Sequence, residues 1–508
     1  MRTHPMFPSA VGFLRRSFVL CVLAMSLAAQ DAISFDVSYS KDAFAGPFTG
    51  RVVLYFAKGK SQREPRLGSN WFNPPPMLAI DVKDLPAGKS ITVGGAGTIR
   101  FPRDLTAFEK GAWNVQAVFD RNLGGRAIGS AAGNLKSDAV AFDVGGDGAA
   151  RATVKANAVI TARPFKETNR VKELVVPSAK LTAHYGRPTS VKAAVALPED
   201  YDARSSRRWP VIYEIPGFGG RYGAWSGNET PRGTQRDGES FIHVLLDPEC
   251  PGGHHVFADS ANNGPWGTAL VTEFIPAFEA AYKAHPAPEG RFLTGHSSGG
   301  WSSLYLQVTH PKVFGGTWST SPDPVDFRDF QRIDLTSAKP NMFDDPEGNV
   351  RPLARQGNRV MVTYRAFSDM ERPLRGEQLE SFEYVFSPKG ADGAPMRLWN
   401  RDTGAVDTMV AASWKPYDIG LTLRTRWKDL APDLAGKIRV IMGNDDTFYL
   451  EGACKLLKKD LEAMGADASV QMLPGDHGSV LTKAVRDGIN KDMADTWRKV
   501  RIGKSDNP

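Results

Sequence analysis

Ser297, Asp446 and His477 are the residues whose types and order could do chemistry together. A serine hydroxyl is a weak nucleophile until an imidazole takes its proton. That imidazole needs a carboxylate on its far side to fix its tautomer and stabilise the imidazolium. Ser297 stands at the centre of Gly295-His296-Ser297-Ser298-Gly299, after the apolar run Arg291-Phe292-Leu293-Thr294 and before a helical stretch. A strand that turns sharply into a helix presents its central side chain on strained backbone, and small residues must flank it. Asp446 ends Gly443-Asn444-Asp445-Asp446 after a later strand, and His477 sits in Gly475-Asp476-His477-Gly478-Ser479 after the last strand. The order Ser, acid, His fits acyl transfer from an ester through an acyl-serine.

Other assignments compete. Asp445 is one residue from Asp446 and points elsewhere on a strand or turn. Asp323 follows the strand ending near Thr320 and is a further candidate acid. Asp476 directly precedes His477 and is poorly placed to bond its imidazole. A tetrahedral intermediate puts negative charge on the carbonyl oxygen, which backbone N–H groups must meet. The Ser298 N–H at a helix start is one donor. The second is expected from Pro216-Gly217-Phe218-Gly219-Gly220, with Phe218 preferred over Gly219. Trp266, in Asn263-Gly264-Pro265-Trp266-Gly267, either walls the substrate pocket or packs in the core. His296, beside the nucleophile, is a candidate substrate contact. His254-His255 has no spaced Asp, Glu or Cys partners, so the pair is a weak metal motif, and no metal is expected.

These residues need a scaffold that places loops at one edge. From Thr161 onward, apolar strands alternate with helical stretches: Val191–Leu197, Trp209–Ile215, Phe241–Leu246, a helix over about Gly267–Tyr282, then the Ser297 strand, Val313–Trp318, Lys437–Met442 and Ala468–Leu473. That pattern predicts an α/β fold, a mostly parallel sheet with helices on both faces. Residues 323–430 interrupt it with irregular, aromatic-dotted sequence, expected as an insertion or lid. Upstream, Ala32–Val37, Arg51–Phe56, Asn114–Phe119 and Asp138–Val144 alternate between turn residues. They predict an antiparallel β-sandwich, immunoglobulin-like in outline, serving as an accessory or spacer domain or as a carbohydrate- or surface-binding one. The expected division is a leader at 1–28, the sandwich at 29–165 and the α/β domain at 166–508.

Composition adds bounds. The 508 residues are 41% hydrophobic and 23% charged, a globular balance long enough for two domains. The formal charge of +7 includes Arg2, Arg15 and Arg16 of the leader. No dense basic stripe interleaved with aromatics suggests nucleic-acid binding. Arg15-Arg16 before the apolar run Ser17–Leu27, with Ser26-Leu27-Ala28 as a cleavage site, reads as an export signal with a partial twin-arginine outline. The run is too short to span a bilayer, and Leu20 before Cys21 argues against a lipoprotein. A periplasmic or secreted protein with no stable membrane anchor is expected. Cys250 and Cys454 follow strands about four steps of ~4.8 Å apart, so they are expected as unbonded thiols.

Residues Lys172 to Ile502 resemble the putative-esterase branch of the α/β-hydrolases, which includes enterochelin-esterase-like and feruloyl-esterase-like enzymes, S-formylglutathione hydrolases and mycolyltransferases. The resemblance rests on Ala196-Leu197-Pro198-Glu199-Asp200-Tyr201, Ile215-Pro216-Gly217-Phe218-Gly219-Gly220, Gly295-His296-Ser297-Ser298-Gly299-Gly300, Gly443-x-x-Asp446 and Asp476-His477-Gly478. It implies Ser297, Asp446 and His477 as a triad without cofactor, acting on a small-molecule or saccharide-linked ester. Pro216 replaces the His common before the oxyanion glycine, and the long insertion is unusual. Acyl transfer, peptide hydrolysis and an inactive surface-binding role are the alternatives.

Overall fold

The computed structural model describes residues 33–59, 63–68, 70–104, 108–146 and 148–505. The expected leader, 1–28, lies outside the described residues. The chain divides into two units, Met1–Ala162 with Asp369–Leu374, and Arg163–Ser368 with Arg375–Pro508.

In the first unit every named strand joins one nine-stranded hydrogen-bonded sheet. It is not purely antiparallel, because Ile33–Tyr39 pairs in parallel with Ala150–Val159. Ile33–Tyr39 and Phe48–Lys58 are four steps apart in this sheet, which would be about 19 Å if it were flat. Yet the rings of Phe35 and Phe56 lie 5.2 Å apart. The sheet therefore folds over itself, and Phe35, Val37, Leu54, Phe56, Val115 and Phe119 fill the space between its halves. The expectation of two separate antiparallel sheets gives way to two layers cut from one sheet.

The second unit carries the site. Its eight strands are β1 (Val171–Pro177), β2 (Ser190–Ala196), β3 (Val211–Ile215), β4 (Ile242–Leu246), β5 (Arg291–His296), β6 (Gly316–Thr320), β7 (Ile438–Gly443) and β8 (Ala468–Leu473). Their order is β1-β2-β4-β3-β5-β6-β7-β8. Only β2 runs against its neighbours; β3 to β8 are parallel. β4 and β6 are buried at every position, as strands covered on both faces must be. Tyr213, Ile215, Val244, Phe274, Phe278 and Leu293 form part of the main core. The expected helix over Gly267–Tyr282 is found as Trp266–Ala269, a π-helical stretch Leu270–Phe274, and Ile275–Ala281. Ile489, Met493 and Trp497 of the last helix pack with Ile212, Phe292 and Trp318.

The segment 323–430 is not irregular. It holds a hairpin, Pro352–Gln356 with Arg359–Thr363, and helices including α2 (Gln378–Phe386) and α3 (Ile419–Leu434), which follow α1 (Ser298–Thr309) in the chain. Its order comes from a shared aromatic core, not from periodicity: Phe327, Phe330, Phe382, Phe386 and Trp414 contact one another through their rings. Buried Asp326 adds ion pairs to Arg328 and Arg424, and both arginines also reach Asp460. Cys250 and Cys454 are buried and form no disulfide. Among the described residues, no helix is long and apolar enough to cross a membrane.

Candidate active site

β5 delivers Ser297 to the N-terminus of α1, where it has φ 59° and ψ −125°. That conformation costs an L-residue about 1–3 kcal/mol and must be imposed by its surroundings. Ser297 N–H donates to Thr320 O at 3.0 Å, and its carbonyl accepts from Trp301 N at 3.0 Å and Asp323 N at 3.3 Å. The flanking glycines are sterically required. A Cβ on Gly295 would lie 2.1 Å from Gly299 O, and one on Gly299 would lie 1.8 Å from Ile215 O. Gly300 is similarly confined, 2.6 Å from Thr320 O.

The acid and imidazole arrive from the ends of β7 and β8, with β6 lying between them and the nucleophile strand. His477 Nδ1 and Asp446 Oδ2 are 2.7 Å apart, and the Asp446 side chain is fully buried. The other carboxylate oxygen, Oδ1, accepts from Phe448 N at 2.8 Å. Asp445 is exposed. Asp476 turns away to accept from Gly478 N and Ser479 N, at 3.1 and 2.8 Å, shaping the turn that carries His477. Gly443 lets the two loops meet, since a Cβ there would lie 2.5 Å from Gly475 O. Asn444 N and Asp445 N donate to Leu473 O and Gly475 O at 2.8 and 3.1 Å. Burial pushes the His477 imidazole down, but the hydrogen bond and charge of Asp446, helped by Asp323 and Asp476, outweigh it and hold the pKa above its ordinary value. Phe448 meets the His477 ring edge to face at 5.0 Å.

His296 lies beside His477, with ring centroids 4.7 Å apart. Burial and then the His477 charge press its pKa down to about 4, so it is neutral near pH 7. Its Nδ1 is 3.1 Å from Thr320 Oγ1.

The loop after β3 packs against the elbow. Gly220 N donates to Gly217 O at 2.9 Å, closing a turn in which Gly219 has φ +82°. A Cβ on Gly217 would stand 3.3 Å from Ser297 Cβ, so the chain leading into Phe218 runs against the nucleophile. Buried His254 holds this loop. Its Nδ1 accepts from Val256 N at 3.1 Å, so Nε2 carries the hydrogen and donates to Pro216 O at 2.9 Å. His255 is committed in the same way, with Nδ1 accepting from Phe257 N at 3.1 Å and Nε2 facing Asp247 O at 3.3 Å. Neither ring offers a metal a free nitrogen, and no group of metal-ligating side chains occurs among the described residues. Trp266 is only 4% exposed, stacks on His255 at 3.8 Å and belongs to the main core.

Three supporting residues escape sequence reasoning. Arg355 of the hairpin donates from Nε to Asp446 O at 3.0 Å, pairs with Glu451 at 2.6 Å and lies 4.4 Å over the Tyr449 ring. Gln378 at the start of α2 comes within 3.4 Å of Ser298 Oγ and Asp323 Oδ2. His254 was visible only as half of a His pair. Arg355 and Gln378 lie in aperiodic sequence that carries no signal for either role. Asp323 follows β6, is buried, and reaches the elbow rather than the imidazole: Ser298 Oγ donates to its Oδ2 at 2.6 Å and Ser297 Oγ lies 3.5 Å from its Oδ1. A separate cavity of about 600 Å³, lined by Arg439, Ile489 and Asp492 among others, touches none of these groups.

Residues 187–451 match the model of the family described as Putative esterase, a span that holds Ser297 and Asp446 and ends before His477. Among solved structures, an S-formylglutathione hydrolase from Agrobacterium tumefaciens is similar at 14% identity and TM-score 0.39, over 66% of this chain and 98% of that one. A CE1 ferulic acid esterase from Anaeromyces mucronatus is similar at 16% identity and TM-score 0.32, over 65% and 92%. MPT51 of Mycobacterium tuberculosis is similar at 15% identity and TM-score 0.39, over 66% and 100%. None of the curated proteins matches the chain.

Proposed function

Because the chain belongs to the Putative esterase family and is a carboxylic ester hydrolase, we propose that Ser297, His477 and Asp446 are its triad and that it works through an acyl-Ser297 intermediate. The observation that carries this reading is the 2.7 Å bond between His477 Nδ1 and buried Asp446, beside a serine on the strained backbone of a strand-to-helix turn.

His477 Nδ1–H donates to the Asp446 carboxylate, so Nε2 of His477 is the free base. As Ser297 Oγ attacks the ester carbonyl carbon, Nε2 takes the hydroxyl proton and the carbonyl oxygen becomes an oxyanion. The Ser298 N–H at the start of α1 and the Phe218 N–H of the loop that His254 braces receive that charge. The intermediate collapses, the C–O bond to the alcohol breaks, and His477 gives its proton to the departing oxygen. Water then attacks the acyl-serine with His477 again as base. The second collapse releases the carboxylic acid and restores the Ser297 hydroxyl. Neutral His296 shields His477 on one side without competing for its charge, and is the nearest candidate for contact with substrate. The substrate is a small-molecule or saccharide-linked ester, met outside the cytoplasm after removal of the leader that the sequence suggests.

Turnover of a short-chain aryl ester by Ser297→Ala tests the reading. A loss of about 10⁴-fold or more with an unchanged melting temperature is expected. Turnover within tenfold of wild type would assign the nucleophile elsewhere.

A further inference from the structure

We propose that Asp323 is a positioning residue that holds the elbow from inside the protein, its two carboxylate oxygens facing the hydroxyls of Ser297 and Ser298, so that the Ser298 N–H stays aimed at the oxyanion. The inference rests on the reading of Ser297 as nucleophile and of the Ser298 N–H as donor.

Ser298 opens α1, so its N–H has no partner within the helix and depends on the local backbone for its direction. Its side chain is 1% exposed, and its hydroxyl donates to Asp323 Oδ2 at 2.6 Å. This is the length of a charge-assisted bond. Asp323 also grips the elbow through its backbone, its N–H donating to Ser297 O at 3.3 Å. Gln378 closes the set from the insertion, its Nε2 3.4 Å from both Asp323 Oδ2 and Ser298 Oγ. Anchored at backbone and side chain, the peptide between Ser297 and Ser298 has little freedom to turn its N–H away.

The second oxygen sets the resting place of the nucleophile. Among the described residues, Ser297 Oγ makes its hydrogen bond to Asp323 Oδ1, at a long 3.5 Å, and none to His477. A contact of that length is weak, so it is given up at little cost when Ser297 Oγ hands its proton to His477. An ionised Asp323 accepts from both hydroxyls; a protonated one gives up an acceptor site. Burial lifts its pKa to about 6, with the Ser298 bond and the His477 charge working against the rise and Asp446 adding to it. The elbow is therefore held most firmly above pH 6.

Steady-state kinetics on a short-chain p-nitrophenyl ester test the proposal with wild type, Asp323→Ala, Asp323→Asn, Ser298→Ala and the Asp323→Ala/Ser298→Ala double variant. Asp323→Ala is expected to lower kcat by about 100-fold, the scale of a lost oxyanion donor, with KM changed less than about threefold. Asp323→Asn, which keeps an acceptor for Ser298, should recover most of that loss. The double variant should be no worse than Asp323→Ala alone, since both changes cut one linkage. If Asp323→Ala does not fold, Ser298→Ala decides, since it cuts the same bond from the other end: a lowered kcat with KM changed less than about threefold is expected, and a wild-type kcat would overturn the inference. An Asp323→Ala enzyme with near-wild-type kcat, a loss confined to KM, or fully multiplicative losses would overturn the inference alone. Absence of wild-type turnover would overturn the esterase reading and this inference with it.

Discussion

The loop that presents Ser297 and the loop that presents Asp446 leave β5 and β7 of the same sheet, one strand apart, yet they are held in place by different physics. At the elbow, backbone packs on backbone. Gly295, Gly299 and Gly300 admit no Cβ, each being hemmed in by carbonyl oxygens of neighbouring strands or of the elbow itself. At the acid loop only Gly443 is confined in that way, and side chains do the rest: Arg355 on the Asp446 carbonyl, Glu451 and Tyr449 on Arg355, Phe448 on His477. Backbone packing of this kind tolerates nothing, because neither partner can move without moving a strand. Side-chain bracing is graded. The elbow should therefore fail by unfolding, and the acid loop by losing activity in steps.

The largest effect should come from Gly299→Ala. An overlap at 1.8 Å with Ile215 O cannot relax locally, so little folded protein is expected, read as loss of the cooperative melt and of soluble yield. A folded Gly299→Ala with wild-type melting would erase the contrast.

Next, Asp446→Asn should fold and lose about 10⁴-fold in kcat, while exposed Asp445→Asn stays within about threefold. The reverse would move the acid by one residue. The pH profile sharpens this. His477 must be neutral to act as base, and its raised pKa makes kcat/KM fall as pH drops through a value above its ordinary one. Asp446→Asn removes the influence that lifts it while burial still presses it down, so the residual activity should keep its acid limb at lower pH.

The smallest effect should be that of Arg355→Ala, about tenfold in kcat with folding intact. A loss on the scale of Asp446→Asn would mean that the insertion is part of the catalytic apparatus rather than a brace.

The same contrast explains what the sequence could tell. The strand, turn and helix around Ser297 were legible because steric need leaves a local signature: an apolar run, three glycines and a helix start. Gly443-x-x-Asp446 and the Gly-flanked His477 were legible for a similar reason. Seven of the eight strands of the sheet followed from their apolar runs, but β1, at the edge and mostly not buried, gave no such run. The insertion was misjudged as irregular because its helices are held by ring contacts among Phe327, Phe382, Phe386 and Trp414, which leave no periodic trace, and α3 even contains Pro432. Arg355, Gln378 and His254 act through contacts far apart in the chain, which no local pattern encodes. Asp323 was visible by position, as the acid at the end of β6, but only the fold shows that it faces the serines. Upstream, alternation revealed four of the nine strands but not that all nine join one sheet with a parallel pair in it.

The central claim, that Ser297 is the activated nucleophile, is tested most directly by labelling the folded protein with a fluorophosphonate and mapping the adduct by peptide mass spectrometry. The account predicts one adduct, on Ser297, formed quickly in wild type and in Asp445→Asn and at least a hundredfold more slowly in Asp446→Asn. Labelling on another residue, or none in protein that turns over ester, would contradict it.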